Sequence, residues 1–280
     1  MKIAVLADVH ANLAALQTVV ADIEGWAPDQ VIVAGDTVNR GPQSAECLAL
    51  LSVLASERGW LLMQGNHEEY LIRYARDHTS PDFPTSGPRY EVLRNIAWTY
   101  RQMGGAIDQL VRLPDQFDLE LAAGLLSVRH ASTRHNRDGI LLRQSDDELR
   151  ERIVTEAAVF CTGHTHMPFV RQLDATLLVN VGSVGLSFDG DTRAAYARLT
   201  YSRQGWQAEI VRLAYDLSAA LRAFDTNGMA EGVGDISPIM RRELATGNSI
   251  MFDFVNEFHT PILSGELSIA EAVRIFTERW

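Results

Sequence analysis

MKIAVLADVHANLAALQTVVADIEGWAPDQVIVAGDTVNRGP, residues 1–42, decides the fold class. Residues 2 to 7 form a short apolar run ending at Asp8. Leu13, Leu16, Val20 and Ile23 then recur at helical spacing, and Gly25 is read as the stop. Val31 to Ala34 is a second apolar run, ending at Gly35 and Asp36. Such runs are buried on both faces, as in the strands of a parallel sheet. The unit repeats: Glu46 to Ser56 has helical periodicity, and Trp60 to Met63 is a third strand before Gly65 and Asn66. Strands alternating with helices predict an α/β fold with parallel pairs.

Beyond residue 70 the pattern loosens. HTSPDFPTSGP, residues 78–88, holds three prolines and reads as an irregular insertion loop extending to about residue 89. Residues 90–112 read as helical. Residues 125–130, 159–162, 177–181, 194–201 and 207–213 read as strands. From about residue 214 helices return, and the capping-box signal Ser268 to Glu271 opens a last amphipathic stripe. Two units follow: residues 1–213, and a C-terminal helical extension, 214–280, packed on the same core. The extension is also the surface through which a lid or a homo-oligomer would form.

Length and composition narrow the function. A chain of 280 residues with 46% hydrophobic and 22% charged residues buries a sizeable core, and no apolar run approaches a membrane span. A formal charge of -11 argues against extended nucleic-acid binding. A small anionic substrate is still accommodated, because a bound cation dominates the field of one cleft. The start carries no small-residue cleavage site of a secretory leader, so the expected location is cytoplasmic. Cys47 and Cys161 sit in apolar surroundings without CxxC spacing and read as reduced core thiols.

The chemistry lies at the strand ends. Asp8 and His10 form a DxH pair after the first strand. Asp36 follows the second in GDTVNRGP, and Asn66, His67 and Glu68 follow the third in GNHE. His130 ends the strand from Leu125, and GHTH places His164 and His166 after the next. If these segments are extended, residues two apart project to one side. Each signal alone admits a structural reading; Asp36 and Asn66 are equally good helix caps. Five of the eight histidines nevertheless fall at strand ends, while His78, His135 and His259 do not. Seven donors without a thiolate suit first-row ions (Mn, Fe, Ni, Co or Zn) over Ca or Mg, and exceed what one tetrahedral ion needs. Two divalent transition-metal ions sharing one carboxylate, manganese first among them, satisfy the set.

DxH, GD, GNHE, the lone histidine and GHTH, in that order over residues 8–166, resemble the calcineurin-like metallophosphoesterase superfamily. GSVG at 182–185 resembles its compact bacterial and archaeal phosphodiesterase branch, and the run around Arg40 resembles dinucleoside tetraphosphatases and phosphoprotein phosphatases. The resemblance implies a two-sheet sandwich flanked by helices. It implies that Asp8, His10 and His166 hold one ion, that Asn66, His130 and His164 hold the other, and that Asp36 bridges them. His67 would be the general acid or a transition-state stabiliser, and Arg40 would grip substrate phosphate. Two ions about 4 Å apart would present a bridging hydroxide to a phosphodiester or phosphoanhydride of a small substrate. The alternatives are a phosphoprotein or phosphomonoester phosphatase, or a non-enzymatic metal-binding scaffold. Asn39 departs from the phosphatase pattern, which has an aspartate there to support the catalytic histidine. Glu68 or a backbone carbonyl is therefore expected to orient His67. Arg134, His135 and Arg137 read as a solvated loop, and Asp146 to Arg152 as an exposed helix face.

Overall fold

The computed structural model describes all 280 residues, Met1 to Trp280. Along the chain, β1 (Lys2–Leu6), α1 (Leu13–Trp26), β2 (Gln30–Val33), α2 (Ser44–Arg58), β3 (Leu61–Leu62) and α3 (Asn66–Asp77) alternate as expected. They are followed by α4 (Pro88–Met103), α5 (Ile107–Val111), β4 (Gln116–Leu121), β5 (Gly124–Arg129), α6 (Asp146–Arg150), β6 (Val159–Thr162), β7 (Phe169–Leu173), β8 (Thr176–Asn180), β9 (Ala194–Ser202) and β10 (Gly205–Leu213). The chain closes with α7 (Leu217–Thr226), α8 (Met229–Gly232), α9 (Ser237–Thr246), α10 (Ile250–Ser264) and α11 (Ile269–Thr277).

The strands form two mixed sheets of five, ordered β10-β9-β1-β2-β3 and β4-β5-β6-β8-β7. β1, β2 and β3 run parallel, as do β5, β6 and β8, so their carboxyl ends gather along one edge of each sheet. Alternation along β1 explains the layering. Ile3, Val5 and Ala7 point between the sheets and meet Val128, Cys161 and Val179, while Ala4 and Leu6 meet Leu16, Val19, Ile23 and Leu51 of α1 and α2. The far face of the second sheet is covered by Leu149 and Ile153 around Phe160 and Leu178. The result is a helix–sheet–sheet–helix sandwich with C-terminal helices.

Four details differ from the sequence expectation. Gly25 does not end α1; the helix runs to Trp26, and Ala27, at φ 52°, takes the left-handed cap. β4 and β7 were not anticipated because they are the two edges of the second sheet. Half-exposed edges carry no continuous apolar run. Residues 90–112 are not one helix, since a 3-10 turn at Gly104–Ala106 divides them. The irregular loop ends at Gly87, because Pro88 supplies the first turn of α4. Cys47 and Cys161 are free and buried.

The C-terminal helices meet the rest of the chain at two apolar seams. Trp98 of α4 packs with Phe224, Met229 and Met240, and Leu186 packs with Ala220 and Leu244. Phe254, Phe258 and Ile262 of α10 gather with Ile269 and Val273 of α11 in a cluster of their own. No helix is long and apolar enough to cross a membrane.

Candidate metal centre

The donors do not stand on extended chain. Asp8 (φ 56°), His10 (45°), Asp36 (54°), His164 (65°) and His166 (57°) all adopt left-handed backbone, which corrects the expectation that residues two apart on extended strands aim the side chains. Each such residue costs on the order of 1–3 kcal/mol and persists only where its surroundings over-determine it. They do so here. Asp8 N–H donates to Gly35 O at 3.1 Å, His10 N–H to Asp36 O at 3.0 Å, and Gly185 N–H to Asp8 O at 3.0 Å. The Ser183 hydroxyl also donates to Asp8 O, at 2.7 Å. The crossing is tight: a Cβ on Gly163 would lie 2.6 Å from Asp8 Oδ2.

All seven expected donors meet. His166 Nε2 lies 3.4 Å from Asp8 Oδ1 and 3.1 Å from His10 Nε2. Asn66 Oδ1 lies 2.9 Å from both His130 Nε2 and His164 Nδ1. Asp36 stands between the two groups, with Oδ2 at 3.3 Å from His130 Nε2 and 3.7 Å from His10 Nε2. Its Oδ1 accepts the His67 N–H at 2.8 Å, so Asp36 also caps α3 with one oxygen while facing the donors with the other. Asn66 is the first residue of that helix, and Gly65 is its cap.

Comparison with known proteins places this geometry. A family model described as the calcineurin-like phosphoesterase superfamily domain matches residues 1–204, which contain every one of these donors. The chain belongs to the calcineurin-like phosphoesterase superfamily. It is a phosphoesterase by family, and the family is metal-dependent. An uncharacterized protein of Methanocaldococcus jannaschii is 25% identical over 250 residues, 83% of this chain and 96% of that one. The crystal structure of a metallophosphoesterase from Sphaerobacter thermophilus matches with TM-score 0.66 and 25% identity, over 88% of this chain and 99% of that one. A hypothetical protein from Pyrococcus horikoshii matches in fold, with TM-score 0.70 and 17% identity over 84% of this chain and 97% of that one.

The donor set of this calcineurin-like centre fits divalent ions on its own chemistry. Asp8 Oδ1 is fully buried without a hydrogen-bond partner, a costly arrangement for a carboxylate oxygen unless a cation meets it. Three buried imidazoles, His10, His130 and His166, share one small volume with the half-buried His164, and burial together with His166 and His67 drives His10 well below its usual pKa. His164 is lowered to about 4 by burial and by His130, which favours the neutral ligand form. His130 Nδ1 donates to Ala34 O at 2.9 Å, which leaves Nε2 to face the site.

His130 sets a pH dependence. Burial opposes its charge, yet the Asp36 carboxylate outweighs burial and raises its pKa from 6.5 to about 10. Asp36 is held far below the usual carboxylate range by His130 and His67, although burial opposes this too. Metal-free protein at neutral pH therefore carries an ion pair here. Its contribution to stability is complete between pH 3.8 and 6.5, the ordinary carboxylate and imidazole values, disappears as pH rises through about 10, and is lost again in acid as Asp36 protonates. Nε2 must lose its proton to donate to an ion, so metal affinity should rise about tenfold per pH unit across that window. Calorimetry in buffers of different ionisation enthalpy should register one proton released; no release would contradict the protonated pair.

Glu68 does not orient His67. It is fully buried and accepts four backbone N–H groups: Asp36 at 2.8 Å, Thr37 at 2.7 Å, Val38 at 3.3 Å and Gly65 at 2.7 Å. It ties the loop after β2 to the loop that opens α3. Glu68→Gln would turn an NH₂ group toward two of those donors and should cost on the order of 3 kcal/mol, read as a lower urea midpoint at unchanged slope. A midpoint within error of the parent would remove this role.

Asn39 orients His67 instead. Its Oδ1 accepts Arg40 N–H at 2.8 Å, Asn95 Nδ2 at 2.8 Å and the Thr99 hydroxyl at 3.2 Å, which fixes the amide and turns Nδ2 to His67 Nδ1 at 2.9 Å. His67 Nδ1 is thereby an acceptor, and its proton sits on Nε2. Burial lowers His67 to about 3, with Asp36 opposing and Arg40 assisting. Sequence spacing could not disclose Asn95 and Thr99, which arrive from α4.

Arg40 lines the same cavity as the donors, and its guanidinium is paired with Glu243 of α9, a buried carboxylate. Arg134 pairs with Glu151, while Arg137 pairs with Glu69 and lies 5.0 Å above the Tyr70 ring. The Asp146–Arg150 face is exposed apart from Leu149, which is buried beneath the second sheet.

Proposed function

We propose that this chain is a dinuclear metal-dependent phosphoesterase that cleaves a phosphodiester or phosphoanhydride bond of a small substrate. The observation that carries this reading is the position of Asp36 Oδ2 between two donor clusters, within 3.7 Å of an imidazole from each. Asp8, His10 and His166 would hold one ion, and Asn66, His130 and His164 the other, with Asp36 common to both. Bound there, two divalent ions would neutralise phosphoryl charge and acidify the attacking water.

The chain's own side chains do the rest. Asn39 keeps His67 in its Nε2–H form, so the imidazole donates a hydrogen bond to the leaving oxygen. Arg40 supplies a fixed cation beside the donors, with Glu243 setting its direction. Burial of the donors keeps bulk water from screening this charge. Retention of His67 with every donor supports an enzyme over a metal-binding scaffold.

Manganese is the first ion to test, because imidazole and carboxylate donors accept several first-row ions and supply decides among them. Free buried Cys47 and Cys161 support a reducing, cytoplasmic location. The deciding experiment is metal analysis of reconstituted protein together with turnover of monoesters, diesters, cyclic nucleotides and dinucleoside polyphosphates. Two ions per chain and cleavage of a diester or anhydride are expected. One ion, or turnover of monoesters alone, would overturn the reading.

A further inference from the structure

The cavity over the donors has a mixed lining. Its roughly 820 Å³ are lined by His10, Asp36, Asn66, His164 and His166 and also by Met251, Phe252 and Val255 of α10. Met167 and Phe188 line it too, and the Phe188 ring stacks on His166 with centroids 4.1 Å apart. Apolar side chains therefore share the cavity with the proposed ligands, and one of them touches a ligand directly.

This apolar lining is built rather than frayed. α10 buries Phe254, Phe258 and Ile262 in its own packing and leaves Phe252 64% and Val255 43% exposed at the cavity, with Met167 38% exposed nearby. The start of α10 is pinned by Glu243, whose Oε1 accepts Met251 N–H at 3.0 Å while Oε2 meets Arg40. One buried carboxylate thus fixes the apolar wall relative to the loop that carries Asp36 and Arg40. The wall also lies outside residues 1–204, the part of the chain that matches the family model.

A cavity of this volume holds a drug-sized molecule, and a phosphoryl group with a small polar ester fills little of it. The remaining lining includes the rings of Phe188 and Phe252 and the thioethers of Met167 and Met251, beside the polar Arg143, Ser249 and Asp253. Rings and thioethers meet the flat face of an aromatic group better than an extended alkyl chain or a hydrated sugar. We propose that Met167, Phe252 and Val255 form a specificity subsite for an aromatic group carried by the substrate, with the phosphoryl group at the donors. The inference rests on the phosphoesterase reading above and deepens it.

Binding of two non-hydrolysable probes to the manganese-loaded full chain tests the subsite: phenylphosphonate and methylphosphonate, which share the phosphonate group and differ only in the organic limb. Phenylphosphonate should bind about 10-fold or more tightly than methylphosphonate, the discrimination an apolar pocket gives one added group. Phe252→Ser, at an exposed position that folding tolerates, should bring the two affinities together by weakening phenylphosphonate alone; Val255→Ser should act in the same direction. Equal affinities in the parent, or equal loss of both probes in Phe252→Ser, would overturn the subsite while leaving the phosphoesterase reading intact. If neither phosphonate bound, the phosphoesterase reading would fall, and the subsite with it.

Discussion

Asp36→Asn should empty the site of both ions together. The carboxylate supplies the oxygen that faces His10 and His130 at once, so an amide there weakens the two clusters in one step. Turnover should drop beyond the ~10²–10³ that loss of one stabilising donor costs elsewhere, because the source of the charge leaves with it. The substitution keeps the oxygen that caps α3 through the His67 N–H, so the fold should survive and metal content can be read directly. Elemental analysis is the check: a variant that retained one ion per chain would show that Asp36 serves a single site.

His67→Ala makes the complementary case. It should leave two ions bound and lower turnover of an aryl diester by about 10²–10⁴, the range for a positioned proton donor. The loss should be smallest for substrates with the most acidic leaving group, which need least help as they depart. Asn39→Asp adds a control. An aspartate at that place would accept a proton from Nδ1 rather than donate to it, so the imidazole would gain a charged form that the parent avoids. The pH profile of turnover should then acquire a new limb. A His67→Ala variant with parental turnover would remove the imidazole from the reaction.

That the seven candidate donors would gather was legible in the sequence, and the geometry by which they do so was not. Apolar runs terminating in Asp8, Asp36, Asn66, His130 and GHTH announced strand ends, because burial on both faces leaves a continuous hydrophobic signature. How those ends converge depends on left-handed backbone at Asp8, His10, Asp36, His164 and His166, which residue type alone does not encode for Asp or His. Glu68 was visible as a neighbour of His67, but four backbone donors arriving from two loops are a tertiary fact. Asn39 had only its departure from a related pattern to mark it. The partners that give it meaning, Asn95 and Thr99, lie past an irregular loop with no periodic signal. Edge strands β4 and β7 escaped for a simpler reason, since one side of each is wet.

The pairing of Arg40 with Glu243 has a consequence for how the protein comes into being on the ribosome. Every proposed metal donor is synthesised by residue 166, whereas the carboxylate that pins Arg40 emerges much later, on α9. A chain ending between those points would carry all seven donor residues but leave the Arg40 guanidinium without its carboxylate. The direction of Arg40 beside the donors is thus fixed by a segment made after all of them.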